Sequence, residues 1–148
     1  DVASGTGVLF KDYIKRGIAS LTGIDISEEM LKIAKEKYPD IRVICADAEV
    51  YSFEEKYDVA VIYNAFPHFS DHVKLFENLC KALKRGGRLT VAHGISMAEV
   101  ERCHSNVPEN VSQPLLCKEK LSEIMSPFFD VDIMISDERM YMVSGVKK

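Results

Sequence analysis

The sequence predicts an α/β fold in which a mostly parallel sheet is covered by helices on both faces. Three features carry that prediction. Short β-type runs alternate with stretches of helical periodicity along the chain. The run Tyr57 to Tyr63 is nearly continuous in apolar residues after its first two positions, the pattern of a strand buried on both faces. A glycine-bearing segment, Gly5, Thr6 and Gly7, stands between the first β-type residues and the first helix.

Each element follows from its local chemistry. Asp1 and Val2 read as the stub of a strand, and Gly5 to Arg16 as the helix after it, ending at Gly17. Leu21 to Ile24 is a second strand. Ser27 then caps a helix reaching Lys37, with Glu28 and Glu29 in the first turn, where the helix dipole favours negative charge. Tyr38, Pro39 and Asp40 break it, and Ile41 to Cys45 forms the third strand. After Tyr57 to Tyr63, Ser70 or Asp71 opens a helix whose apolar positions Val73, Leu75, Phe76, Leu79 and Leu83 recur at helical spacing. Gly86 and Gly87 end it, and Arg88 to Ala92 is the next strand. Ser96 to Cys103 and Lys118 to Ser126 are two more helices, separated by a polar loop with Pro108 and Pro114. Val131 to Ile135 and Met140 to Val146 close the chain as a hairpin joined through Ser136 to Arg139. With no repeat, low-complexity segment or linker, residues 1–148 read as one domain.

Composition narrows the function. At 148 residues with 47% hydrophobic and 28% charged residues, the chain can bury a core and is not of disordered type. The net charge is −4 and no basic run exceeds the pair Lys84 and Arg85, which argues against a nucleic-acid partner. The four cysteines, Cys45, Cys80, Cys103 and Cys117, show no paired metal-type spacing. Reduced, mostly buried thiols in a cytoplasmic protein are the expectation. No apolar stretch approaches the length of a membrane span.

The glycine segment separates three ligand classes. The phosphate-binding pattern Gly-x-x-x-x-Gly-Lys-Ser/Thr is absent. The dinucleotide pattern needs Gly-x-Gly-x-x-Gly or Ala, but Phe10 holds the third position and would keep the helix off its strand. This weakens the reading as a nicotinamide-dependent reductase. What remains is the pattern Asp-x-Gly-x-Gly-x-Gly, matched by Asp1, Gly5 and Gly7, with Ala3 in place of the first glycine. Alanine is accommodated there if it keeps a negative φ.

With these residues, the chain resembles the broad family of S-adenosylmethionine-dependent methyltransferases with a Rossmann-like fold. The first half is most similar to the quinone-biosynthesis C-methyltransferases, which share Asp-Val-Ala-x-Gly-Thr-Gly (residues 1–7) and Gly-x-Asp-Ile-Ser-x-x-Met-Leu (residues 23–31). The resemblance implies a doubly wound, seven-stranded sheet in the order 3-2-1-4-5-7-6, with the last strand antiparallel. It also implies that the domain is incomplete at its N-terminus, the first strand being largely missing, because the motif's aspartate normally ends the central strand. Under the same resemblance, Asp1 and the backbone from Ala3 through Ser4, Gly5 and Thr6 to Gly7 would hold the methionine moiety of S-adenosylmethionine. Asp25 would accept the ribose hydroxyls, Ile26 and Met30 would line the adenine edge, Asp47 with Ala48 would receive the adenine amino group, and Asn64 would face the methionine end. The alternative for Asp25 and Asp47 is ordinary helix capping or a solvated loop carboxylate. Gly23 is expected to serve close packing rather than a ligand.

The acceptor side is less constrained, because methyl transfer mainly needs alignment of the partners and exclusion of water. Asn64, Ala65, Phe66 and Pro67 lack the adjacent Pro-Pro pair and register-matched aromatic of enzymes that methylate planar amino groups. That argues against adenine, cytosine or glutamine side chains as acceptors; the expectation is methyl transfer to a small molecule, at carbon or oxygen. His68 follows the fourth strand of that order, His93 ends the fifth and His104 lies further on; His72, in the first turn of a helix, is expected to be exposed. Three readings stay open for the first three histidines. They are independent loop or capping residues; or His68 or His93 is a general base or orienting group; or they form a metal site with Cys103, which no dense spacing supports. A non-catalytic module that binds S-adenosylmethionine or a partner is the alternative from another class.

Overall fold

The computed structural model describes residues 1–104 and 114–148, and says nothing of the side chains of Glu101, Cys103 and His104. The helix expected to start at Gly5 is shorter, with α1 spanning Phe10–Lys15. Residues 3–9 form turns instead, because Gly5 and Gly7 adopt φ of +52° and +75°, which no helix contains. β1 (Thr22–Asp25) and α2 (Glu28–Lys37) follow, with Ser27 as N-cap accepting the Met30 N–H. Then come β2 (Arg42–Cys45), β3 (Tyr57–Tyr63) and a 3-10 turn, Phe66–His68. Asp71 caps α3 (His72–Ala82) by accepting the Lys74 N–H at 3.0 Å. β4 (Leu83–His93) starts five residues before the predicted Arg88, since the backbone turns extended at Leu83 and Gly86 and Gly87 lie within the strand rather than behind the helix. α4 (Met97–His104) carries a capping box between Ser96 and Glu99. α5 (Lys118–Met125) leads into the closing hairpin of β5 (Phe129–Ser136) and β6 (Tyr141–Lys147).

β1 pairs with β2 in parallel, and β3 with β4 in parallel. β6 lies antiparallel between β4 and β5. Val2 joins the two ladders by bridging both Ile24 and Ile62 in parallel. Its N–H donates to the Val61 carbonyl at 2.8 Å, while the Ile24 N–H donates to the Asp1 carbonyl at 2.9 Å. Two residues thus do the work of a strand between β1 and β3.

Alternation along β1 shows how the sheet is covered. Ile24 enters a large cluster with Leu75, Leu79 and Leu121 from α3 and α5. Its neighbour Gly23 faces the other way, where a Cβ would stand 2.7 Å from the Phe10 ring. Phe10 belongs to a second cluster with Ala34 and Ile41. Helices therefore pack on both faces. Coverage is uneven, however. Ala60 and Ile62 of β3 are buried, but Val59 is 55% exposed, so this strand is not buried on both faces as its composition suggests. The thiols also differ from expectation: Cys45 and Cys117 are exposed and Cys80 is half-buried, all three unpaired. No helix among the described residues is long and apolar enough to cross a membrane.

Candidate functional site

Two adjoining clefts open beyond the carboxyl ends of the parallel strands, where open α/β sheets bind ligands. The larger, about 390 Å³, is walled by the residues following β1 (Asp25, Ile26), those following β2 (Ala46 to Glu49) and those following β3 (Ala65, His68 to Ser70). The smaller, about 150 Å³, lies against Asp1, Ser4, Gly5, Tyr63 and Asn64. Ala3 lines both.

The turn between Val2 and α1 is held in an unusual backbone conformation. Ala3 has φ +54°, not the negative value its side chain favours, and Gly5 and Gly7 are also left-handed. An L-residue in this region costs about 1–2 kcal/mol. The Gly7 N–H donates to the Ser4 carbonyl at 3.0 Å, and the Phe10 N–H to the Gly7 carbonyl at 3.1 Å. Asp25 fixes the turn from the end of the adjoining β1: its Oδ2 accepts the Gly5 N–H at 2.7 Å and its Oδ1 the Ser27 N–H at 2.9 Å. Each carboxylate oxygen has lone-pair capacity for a further donor. Thr6 and Gly7 line neither cleft. Gly7 instead stands over Phe10, which is fully buried and would lie 2.7 Å from a Cβ at that position. Gly23 serves packing, hemmed by Phe10 and the Ser4 Oγ. That Oγ is buried and finds no hydrogen-bond partner among the described residues.

After the neighbouring strand β2, Asp47 uses Oδ1 to accept the Glu49 N–H at 2.9 Å, while its Oδ2 accepts no hydrogen bond among the described residues. Asn78 on α3 secures this loop by donating to the Ala48 and Tyr51 carbonyls, both at 2.8 Å. Ile26 lines the cleft and is 75% exposed. Met30 does not line it; its backbone is spent on the Ser27 cap and its side chain lies on the exposed side of α2. Asn64 borders the smaller cleft with φ +55°, its Oδ1 accepting the Gly94 N–H at 3.0 Å.

His68 and His93 do not share a cleft. His68 is exposed on the wall of the larger cleft. His93 is only 3% exposed and lines neither cleft, because alternation along β4 puts it on the same face as the buried Leu89 and Val91. There its ring meets Tyr141 edge to face, 6.0 Å between centroids. The His104 and Cys103 side chains fall outside the described residues, and no group of metal-ligating side chains gathers among the described ones. His72, expected at the surface, is half-buried and stacked on Phe66 at 4.2 Å. Burial lowers its pKa, opposed by the carboxylates of Glu49 and Asp71 and by the carbonyls of Phe66 and Phe69.

No sequence pattern places Glu49, Ala65, Phe69 or Ser70 in a ligand site, Ser70 being read only as a possible start of the helix. Glu49 is 8% exposed, and its carboxylate accepts the N–H groups of Ser70 and Asp71 at 2.6 and 3.1 Å. Its partners lie 21 and 22 positions away, so no local pattern announces them. A second acidic residue two positions after Asp47, between Ala48 and Val50, is the one local signal.

A family model described as a methyltransferase domain matches residues 1–87. The malonyl-[acyl-carrier protein] O-methyltransferase of Priestia megaterium is 30% identical over 138 residues, covering 84% of this chain and 50% of that protein. A demethylmenaquinone methyltransferase of Chlorobaculum tepidum is 36% identical over 88 residues, covering 59% of this chain and 36% of its own length. The chain thus spans half or less of these curated relatives. Among solved structures, a plantazolicin methyltransferase crystallised with a desmethyl analogue and S-adenosylhomocysteine superimposes with a TM-score of 0.78. The identity is 20%, over 100% of this chain and 75% of the other, which establishes likeness of fold.

Proposed function

The chain belongs to the methyltransferase-domain family, and on that premise we propose that it transfers the methyl group of S-adenosylmethionine to a small-molecule acceptor, at carbon or oxygen. The pairing of the two clefts across Ala3 is the observation that carries this reading. A nucleoside fits the larger, which both Asp25 and Asp47 line, and an amino-acid tail fits the smaller beside Gly5 and Asn64. The lone pairs left on Asp25 suit two vicinal ribose hydroxyls, and the Asp47 Oδ2 suits the adenine amino group. Phe10 argues against a dinucleotide, since its ring fills the space under Gly7 and Gly23 that a close helix-to-strand approach would need.

The cofactor supplies a methyl group already activated on a sulfonium. The protein's share is alignment and exclusion of water, which is worth about 7–11 kcal/mol when the reacting atoms are well placed. Ile26, Ala48 and Phe69 supply the apolar wall, while His68 stands where it can orient an acceptor or take its proton. Val2, bridged in parallel to both Ile24 and Ile62, supports reading the sheet in the order 3-2-1-4-5-7-6 with Val2 in the place of strand 1, and the whole as one domain. The unpaired thiols Cys45, Cys80 and Cys117 are in keeping with a cytoplasmic site of action.

Calorimetry tests the cofactor assignment: S-adenosylmethionine should bind and NAD should not. Asp25→Ala should weaken binding by about tenfold or more, since it strands the ribose hydroxyls and releases the Gly5 N–H. Unchanged affinity would refute the ribose role. Formation of S-adenosylhomocysteine only when an acceptor library is present separates an enzyme from a sensing module.

A further inference from the structure

We propose that Glu49 is a positioning residue, a bracket through which the adenine wall of the cleft sets the place of His68 on the acceptor side. This rests on the cofactor reading above. Glu49 lies in the loop after β2, whose residues Ala46 to Ala48 line the larger cleft. Its carboxylate crosses to the segment after β3, which forms the facing wall. There Oε1 accepts the Ser70 and Asp71 N–H groups, and the Ser70 Oγ lies 3.2 and 3.1 Å from Oε1 and Oε2.

Both ends of this bracket are stiff. On the near side, Asp47 accepts the Glu49 N–H, and Asn78 grips the Ala48 and Tyr51 carbonyls. On the far side, the 3-10 turn carrying His68 is closed by His68 N–H to Ala65 and Phe69 N–H to Phe66 bonds of 3.0 and 3.2 Å. Phe66 is itself clamped between His72 and Phe76 in two stacked contacts, 4.2 and 5.7 Å between centroids. A turn that is internally rigid and pinned at its far end moves as one piece with the pin. A displacement of the adenine wall on ligand entry is therefore passed to His68 with little slack. Hydrogen bonds from backbone amides to a buried carboxylate are among the stronger contacts available for such a link.

The geometry makes an ordering that a purely electrostatic or bulk structural role would not. Glutamine keeps an acceptor oxygen at the end of the same stem, whereas aspartate keeps the charge but falls short of the Ser70 and Asp71 amides. Glu49→Gln should therefore outperform Glu49→Asp. The experiment uses the whole chain and S-adenosylhomocysteine as probe, with affinity read by calorimetry. The ring signals of His68 are read by NMR and assigned through His68→Asn. Wild type and Glu49→Gln should bind within about threefold of each other, and their His68 signals should move to the same bound position. Glu49→Asp and Glu49→Ala should bind roughly tenfold more weakly, and at saturation their His68 signals should stop short of that position. Should Glu49→Ala fail to fold, the ranking of Gln and Asp decides alone. Aspartate matching wild type, or Glu49→Ala reaching the wild-type bound signals, overturns the inference while leaving the cofactor reading intact. A wild-type chain that does not bind the probe overturns both.

Discussion

Two glycine-bearing turns in this chain look alike as sequence and differ in what they do. Residues 3–7 follow the central bridge of the sheet and carry left-handed backbone at Ala3, Gly5 and Gly7. Residues 84–87 lie in the first half of β4, with left-handed backbone at Gly86 and a close approach at Gly87, where a Cβ would stand 2.9 Å from the Lys84 carbonyl. The first lines both clefts through Ala3 and receives the Asp25 carboxylate on the Gly5 N–H. In the second, Gly86 and Gly87 line neither. Glycine marks where backbone must bend or approach closely. A site arises only where such a bend sits at the carboxyl ends of parallel strands and a carboxylate faces it.

Substitution at Gly7 should break the comparison most severely. A Cβ there would combine φ of +75° with a 2.7 Å approach to the buried Phe10 ring, which cannot retreat because Gly23 and Tyr38 hold its other side. Backbone strain and overpacking together predict a loss of about 3 kcal/mol for Gly7→Ala in urea unfolding. Binding of S-adenosylhomocysteine should fall with it. Normal affinity in a folded Gly7→Ala protein would remove this turn from the cofactor site.

At Gly86 the same substitution should do much less. Its φ is also +75°, but an added Cβ meets nothing within 4 Å. Strain alone remains, so Gly86→Ala should cost about 1 kcal/mol. Affinity for S-adenosylhomocysteine, measured in the same titration, should stay within about twofold, a change of less than 1 kcal/mol. A large loss of affinity would mean that the second turn communicates with the clefts.

This contrast also shows what could be read from the sequence. The alternation of elements, the Ser27 and Asp71 caps, the closing hairpin and the packing role of Gly23 all express local rules: period, cap chemistry and the size of a missing side chain. The cleft residues Ala3, Asp25, Ile26, Asp47 and His68 sit at strand ends, which the same pattern locates. What stayed hidden depends on register and long-range contact. His93 ends a strand as predicted, yet strand parity turns it into the core beside Tyr141. His72 begins a helix as predicted, yet Phe66 arrives to cover it. Glu49 reads as one more loop carboxylate until the chain brings Ser70 and Asp71 back to it.

The smallest effect is expected at Ala3, where it is also the most informative. The alanine occupies the position of the pattern's first glycine and holds φ +54°. Relief of that strain by Ala3→Gly favours the variant by about 1–2 kcal/mol. Against this stand the greater chain entropy of glycine, about 0.5–1 kcal/mol, and the loss of a methyl packed on the large core cluster, worth at most about 0.8 kcal/mol. The three terms largely offset one another, leaving a net change between a loss of about 0.8 and a gain of about 1.5 kcal/mol, with a slight gain favoured. This balance explains how the turn keeps its shape without the glycine. Thermal unfolding of Ala3→Gly should shift by no more than a few degrees. A loss beyond about 1 kcal/mol would show the methyl to be a packing anchor of the turn rather than a tolerated strain.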